Sequence, residues 1–124
     1  MGRSGTPRRR RLSRSGDFDR VFREGRSYGN RYLVVYAFGL GEVANATPRL
    51  GISVGRKVGG AIERNGVKRA LREAFWQLAD PSEGRDVVIV ARPEVARLVE
   101  QGGTPAVAEQ LAPLLEELGA ERST

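Results

Sequence analysis

The period with which apolar residues recur along the chain changes several times, and each change marks an element. Phe18, Val21 and Phe22 recur at i, i+3, i+4, which gives a helix one apolar face. Ser13 or Ser15 is placed to cap that segment, and Asp17 falls in the first turn, where the helix dipole favours an acid. A short helix is expected over Ser15–Arg23, with Gly25 as its stop. Ser27–Phe38 reads as extended, and its second half, YLVVYAF from Tyr32, has the aromatic and β-branched content of a strand. Gly39–Pro48 is a connection rich in Gly and Asn, and RLGISV (Arg49–Val54) is a second strand.

Gly59 to about Leu78 carries the longest helical periodicity. Asp80–Gly84 is a turn, and the nearly continuous apolar run DVVIVA (Asp86–Ala91) is expected as a strand buried on both faces. Glu94–Glu100 reads as a helical turn closed by Gly102-Gly103. Thr104-Pro105 then has the cap-and-first-turn pattern of a last helix running to about Leu118, stopped by Gly119 and kinked or shortened by Pro113. The pattern is α+β, with helices packed on one sheet. Residues 1–11, whose only apolar residue is Met1, form an expected disordered basic arm; 12–119 form one domain and 120–124 a tail.

Charge sharpens this division. The chain of 124 residues carries a formal charge of +6. Residues 1–36 contribute +7, residues 37–79 contribute +4 and residues 80–124 contribute −5. An excess of cations confined to the first two-thirds favours a polyanionic partner. Nineteen of the 21 basic residues are Arg, whose planar fork suits phosphate and stacks on bases. The chain has no Cys and no His, which removes thiolate metal sites, disulfides and imidazole acid–base chemistry. No apolar run approaches the roughly 18 residues of a membrane span, and no apolar stretch follows the basic N-terminus, so a cytoplasmic protein without a membrane partner is expected.

The longest helix concentrates the cations. At about 100° per residue, Arg64, Lys68 and Arg72 fall within about 80° of arc, Asn65 and Arg69 extend that side, and Val67, Leu71, Ala74, Phe75 and Leu78 are assigned to the other. Exposed helix faces ordinarily mix signs, because opposite charges four apart stabilise; like charges there cost a few tenths of a kcal/mol per pair. A face that opposes its own stability in this way points to phosphate. Asn65 adds an amide able to donate to phosphate or read a base edge. Ahead of this helix, Arg56-Lys57 precede Gly59-Gly60, where outward-pointing amides suit a phosphate and a solvated turn fits equally well. Phe18, Phe22 and Tyr36 add rings within the basic region; each Phe taken alone fits core packing, whereas Tyr36 is amphipathic and suits stacking with its hydroxyl in water.

Two motifs carry a resemblance. RKVGGAIERNGVKRALREAF (Arg56–Phe75) and DFDRVFREGRSYGNRYLVVY (Asp17–Tyr36) stand in the order found in the protein subunit of bacterial ribonuclease P, which the chain resembles from about Leu12 to Arg92. The family's Arg-Asn-Arg helix motif reads here Arg64-Asn65-Gly66, followed by Lys68-Arg69 and Arg72; Gly66 stands where the family usually has a second Arg. The resemblance implies an α-β-β-β-α-β-α two-layer sandwich whose four-stranded sheet has an uncommon left-handed crossover around the basic helix. The fourth strand would be a short piece near Ser27–Asn30. It also implies the partners: the catalytic RNA of ribonuclease P and precursor tRNA. By matched position, Arg64, Asn65, Lys68, Arg69 and Arg72 would face the catalytic RNA. Phe18, Phe22, Tyr36 and Lys57, with Arg56 beside it, would line a cleft for the 5′ leader of precursor tRNA, and Asn30 and Arg31 would add a further RNA contact.

No catalytic residue and no protein-bound metal are expected. Two-metal nucleases need converging carboxylates, and Asp17 and Asp19 stand two apart on a helix, where they do not face each other. The resemblance places magnesium in the RNA active site, with no cofactor held by the protein alone. The residues then describe an accessory subunit of an endoribonuclease that assists 5′ maturation of tRNA. A ribosomal or other structural RNA-binding protein is the alternative, which composition does not separate from it. A DNA-binding module would need a helix–turn ahead of the basic helix, where the chain has a strand.

Overall fold

A computed structural model describes residues 10–11, 15–39, 49–79 and 85–123. The expected connection at 40–48, the turn at 80–84, the Ser13 cap and residues 1–9 lie outside the described residues. The elements are β1 (Arg10–Arg11), α1 (Ser15–Glu24), β2 (Arg26–Gly29), β3 (Leu33–Gly39), β4 (Arg49–Val54), α2 (Ala61–Leu78), β5 (Arg85–Ala91) and α3 (Val95–Ser123), with a 3-10 turn at Arg56–Val58 between β4 and α2. The expected α-β-β-β-α-β-α order is present, with β2 as the short fourth strand and the two-residue β1 added at the sheet's edge.

The sheet order is β1-β4-β5-β3-β2. β5 is parallel to β4 and antiparallel to β3, and this central position is what its unbroken apolar run requires. β2 and β3 form an antiparallel hairpin. Its turn is made by Asn30, whose Oδ1 accepts from the backbone N–H groups of Tyr32 (2.8 Å) and Leu33 (2.9 Å). Arg10-Arg11, the last two residues of the expected arm, pair in parallel with Arg49-Leu50.

Strand alternation divides the side chains between two faces. Leu33, Val35 and Ala37 of β3, Leu50 of β4 and Val87, Ile89 and Ala91 of β5 point to the main core, where α2 supplies Val67, Ala70, Leu71, Ala74 and Phe75 and α3 supplies Val95, Val107, Leu111, Leu114 and Leu118. The opposite face carries a smaller cluster. There Val21 of α1 is buried on Val88, with Phe18, Tyr36, Phe38 and Val90 around them. α1 ends at Gly25 because the chain passes too close to β3 for any side chain: a Cβ there would stand 2.5 Å from the Val21 carbonyl oxygen and 2.6 Å from that of Ala37.

The C-terminal third breaks where expected and departs from expectation only beyond the break. Within α3 two helices meet at a kink, where Gly103 has non-helical dihedrals (φ 64°, ψ −155°), between the Gly102-Gly103 stop and the Thr104-Pro105 start. The left-handed φ suits glycine, and Thr104 Oγ1 donates to Glu73 Oε1 of α2 at 2.8 Å just beyond it. Helical dihedrals run through Pro113, and the helix continues past Gly119 to Ser123. An interior glycine costs only about 1 kcal/mol, and the Ala-Glu-Arg that follows Gly119 favours helix.

Candidate nucleic-acid interface

α2 begins at Gly60 and leads out of β4 through the Arg56–Val58 turn, in which Val58 is buried while Arg56 and Lys57 are exposed. Glu63 folds back over this start: a Cβ on Gly59 would meet Glu63 Cβ at 2.8 Å, and one on Gly60 would meet Glu63 Oε1 at 3.0 Å. The two glycines therefore make room for a carboxylate beside the helix N-terminus. An anion arriving at the expected phosphate site meets that charge.

The cationic face of α2 is rotated relative to the expectation. Asn65, Arg69 and Arg72 are exposed, but Arg64 and Lys68 are half-buried on the flank of the helix. The reason is angular. Leu71 and Phe75, seven and eleven residues after Arg64, each return to within about 20° of it, so Arg64 stands beside the core and not opposite it. Leu78, assigned to the core side, is 39% exposed at the last turn. Arg64 Nε is buried without a hydrogen-bond partner. Ile62, at 86% exposure, stands in the first turn of the same helix. Hydrophobicity patterning does not single it out, since its exposure depends on how α2 packs.

On the other face of the sheet, α1 brings three of the expected rings together. Phe18 and Phe22 have centroids 6.3 Å apart, and Phe22, 40% exposed, meets Tyr36 edge-on at 4.9 Å. Val21 anchors this arrangement, and Phe22 follows it out toward solvent. Phe38 belongs to the same cluster, with the Arg20 guanidinium 5.7 Å from its ring centroid. The sequence held that signal: Phe38 stands two residues after Tyr36 in a strand and so on the same face. Arg20 and Phe22 are about 200° apart on the helix, so the cation leaves α1 on the flank away from Phe22. Arg49 and Asp86, opposite each other on β4 and β5, add a two-pronged ion pair to this face (2.8 and 2.7 Å).

Strand registers gather the remaining candidates at one end of the sheet. Gly29, Leu33, Val54 and Ala91 align there, so the 30–32 turn, Arg92 and the Arg56–Val58 turn all leave from it. Arg31 is exposed. Asn30 is half-buried and occupied within the fold: besides forming its own turn, its Nδ2 donates to the Gln110 carbonyl at 3.2 Å and to Gln110 Oε1 at 3.4 Å. Among the described residues no group of three acids is placed to hold a metal ion, and no helix is long and apolar enough to cross a membrane.

These features can be set against known proteins. Residues 6–118 match the Ribonuclease P family model. The ribonuclease P protein component of Bacillus cereus (strain B4264) is 38% identical over 92 residues, which is 73% of this chain and 78% of that protein. The RNase P protein of Staphylococcus aureus has a similar structure, with a TM-score of 0.71, 32% identity and coverage of 84% of this chain and 94% of that one. That of Thermotoga maritima gives a TM-score of 0.70 at 35% identity, covering 89% and 96%.

Proposed function

The chain belongs to the ribonuclease P protein family, and from that membership we propose how it serves 5′ maturation of tRNA as the protein component of an endoribonuclease complex. α2 binds the catalytic RNA through Arg64, Asn65, Lys68, Arg69 and Arg72, while the cleft between α1 and the sheet takes the single-stranded 5′ leader of precursor tRNA. The observation that carries the second half is the ring cluster: Phe22 stands 40% exposed, set edge-on against Tyr36 at 4.9 Å, in a basic chain. An exposed ring in such surroundings is a stacking platform for unpaired bases, worth about 1–3 kcal/mol per base. Arg56 and Lys57 extend the cleft toward the start of α2, and Arg31 with its neighbour Asn30 adds a contact at the same end of the sheet.

Catalysis belongs to the RNA, with magnesium bound there. Among the described residues no three acids stand close enough to hold a metal ion, and no metal is assigned to the protein. The protein's contribution is charge. Two RNAs brought together repel, and a cationic surface between them, binding with release of counterions, lowers that cost. A cytoplasmic location follows from the substrate.

The test reconstitutes the protein with its catalytic RNA and compares precursor with mature tRNA. Tyr36→Ala is expected to weaken precursor binding about tenfold and leave mature tRNA unchanged, because only the precursor carries a leader. Equal losses for both overturn the leader cleft. Cleavage of precursor by the protein without RNA overturns the accessory role.

A further inference from the structure

One concave site lies apart from the α2 face and the ring cluster, sharing only Arg31 with the interface proposed above. A hollow of about 670 Å³ sits between the β2–β3 turn and the first turns of α3, lined among others by Arg31, Tyr32, Glu94, Arg97, Glu100 and Gln101. Its walls are fixed from several directions. Asn30 ties its own turn to Gln110 in the second half of α3. The Arg92 N–H donates to the Tyr32 carbonyl at 2.9 Å, and the Val95 N–H donates to the Arg92 carbonyl at 2.9 Å. Its volume falls in the range of small-ligand clefts, about 300–1,000 Å³, but it is open to solvent and most of the residues named are charged or polar.

The charges around it are left unspent. Glu94, Arg97 and Glu100 follow one another at intervals of three, the spacing at which opposite charges on a helix usually pair. Yet the one ion pair shown among the described residues is that of Arg49 with Asp86, and none involves Glu94, Arg97, Glu100 or Arg31. Two Arg and two Glu side chains, all exposed, thus line one hollow together with half-buried Tyr32, which also packs against the main core. A ligand that uses all three needs an anion, a flat ring and N–H donors on the ring's edge. A ribonucleotide whose base carries an amino group has this set: phosphate for Arg31 and Arg97, ring stacking for Tyr32, and an amino edge for a carboxylate. Guanine suits it best, because its N1–H and amino group lie side by side and match both oxygens of one carboxylate, the geometry that makes paired contacts strong.

We propose that this hollow is a nucleotide-binding site with a preference for guanine, distinct from the leader cleft and from α2. It rests on the RNA-binding reading only for the source of the nucleotide, which is either an unpaired residue of an RNA strand or a free nucleotide.

The experiment is an amide-shift titration of the full chain by NMR. The probes are GMP, UMP and two hexanucleotides, one of uridines only and one with a single guanosine among uridines. GMP is expected to shift the amides of Tyr32, Arg97 and Gln101 saturably and to bind at least fivefold more tightly than UMP. Arg97→Ala is expected to weaken GMP and UMP alike. Of Glu94→Gln and Glu100→Gln, at least one is expected to remove the preference for GMP without changing UMP affinity. Tyr36→Ala leaves this response intact, so failure of the leader cleft and failure of the hollow are read separately. Tighter binding of the guanosine hexanucleotide than of GMP, with the same amides shifted, supports an RNA strand as the source; equal affinity supports a free nucleotide. Absence of saturation, shifts centred on Tyr36 or α2, or equal affinity for GMP and UMP overturns the proposal.

Discussion

Replacing Gly66 separates two contributions that the chain's own sequence confounds, helix stability and phosphate charge. Gly66 lies within α2, and a Cβ built on it meets nothing within 4 Å. Gly66→Ala therefore adds a methyl without a clash and removes the backbone entropy cost of an interior glycine, about 1 kcal/mol. Applied to a domain of this size, that raises the melting temperature by about 4 °C. Gly66→Arg has nearly the same helix propensity and adds one cation. Along the helix, the new charge has Glu63 three residues before it and Arg69 three residues after, so local attraction and repulsion nearly cancel. The two variants should then melt within about 1 °C of each other, while their RNA binding differs. One further phosphate contact steepens the dependence of log affinity on log salt by about 0.7–0.9. Thermal unfolding followed by circular dichroism and titrations of catalytic RNA over a range of salt concentrations measure the two effects independently. If Gly66→Ala lowers the melting temperature, the open space beside residue 66 is wrong. If the Arg and Ala variants give the same salt slope, residue 66 does not face the RNA.

Two further substitutions probe neighbouring parts of the interface. Gly25→Ala forces a Cβ against two carbonyl oxygens at 2.5 and 2.6 Å and should cost about 1–3 kcal/mol. Loss of precursor preference is expected to accompany the lower melting temperature, because α1 and its rings are lifted from β3; a variant as stable as the parent refutes the close approach. Glu63→Gln removes the carboxylate standing over the start of α2. It should lower stability by about 0.3–1 kcal/mol through the helix dipole while raising affinity for catalytic RNA about twofold to fivefold; unchanged or weaker binding would show that no phosphate approaches there.

The helices and strands were legible because their causes are local. The i, i+3, i+4 spacing in α1 has a helical period, while the run before Phe38 and the unbroken apolar run of β5 are short and β-branched, which favours strands. The two motifs sufficed for the family, since they preserve residue order. Asn30 shows where such reading stops: its type fits an RNA contact, but the fold uses both ends of its amide to join the hairpin turn to α3, 80 residues away. Arg64 is half-buried where the helix wheel had it on an open cationic face, for a related reason. Cations were grouped by their distance from one another, whereas burial depends on their distance from Leu71 and Phe75.

What the sequence determined by itself is the inventory: an Arg-rich first two-thirds, a helix carrying both core and cations, a pair of rings on a short helix and a chain without imidazole or thiol. Tertiary structure decided which of these groups meet. Only the packing of α1 across the sheet sets Phe22 edge-on to Tyr36 while Val21 disappears beneath it. Only the strand registers bring Arg31 and the start of α3 to the walls of one hollow. Local periodicity follows from bonds between near neighbours, but the position of a side chain relative to distant elements is set by the shared burial of the whole core, which no single segment encodes.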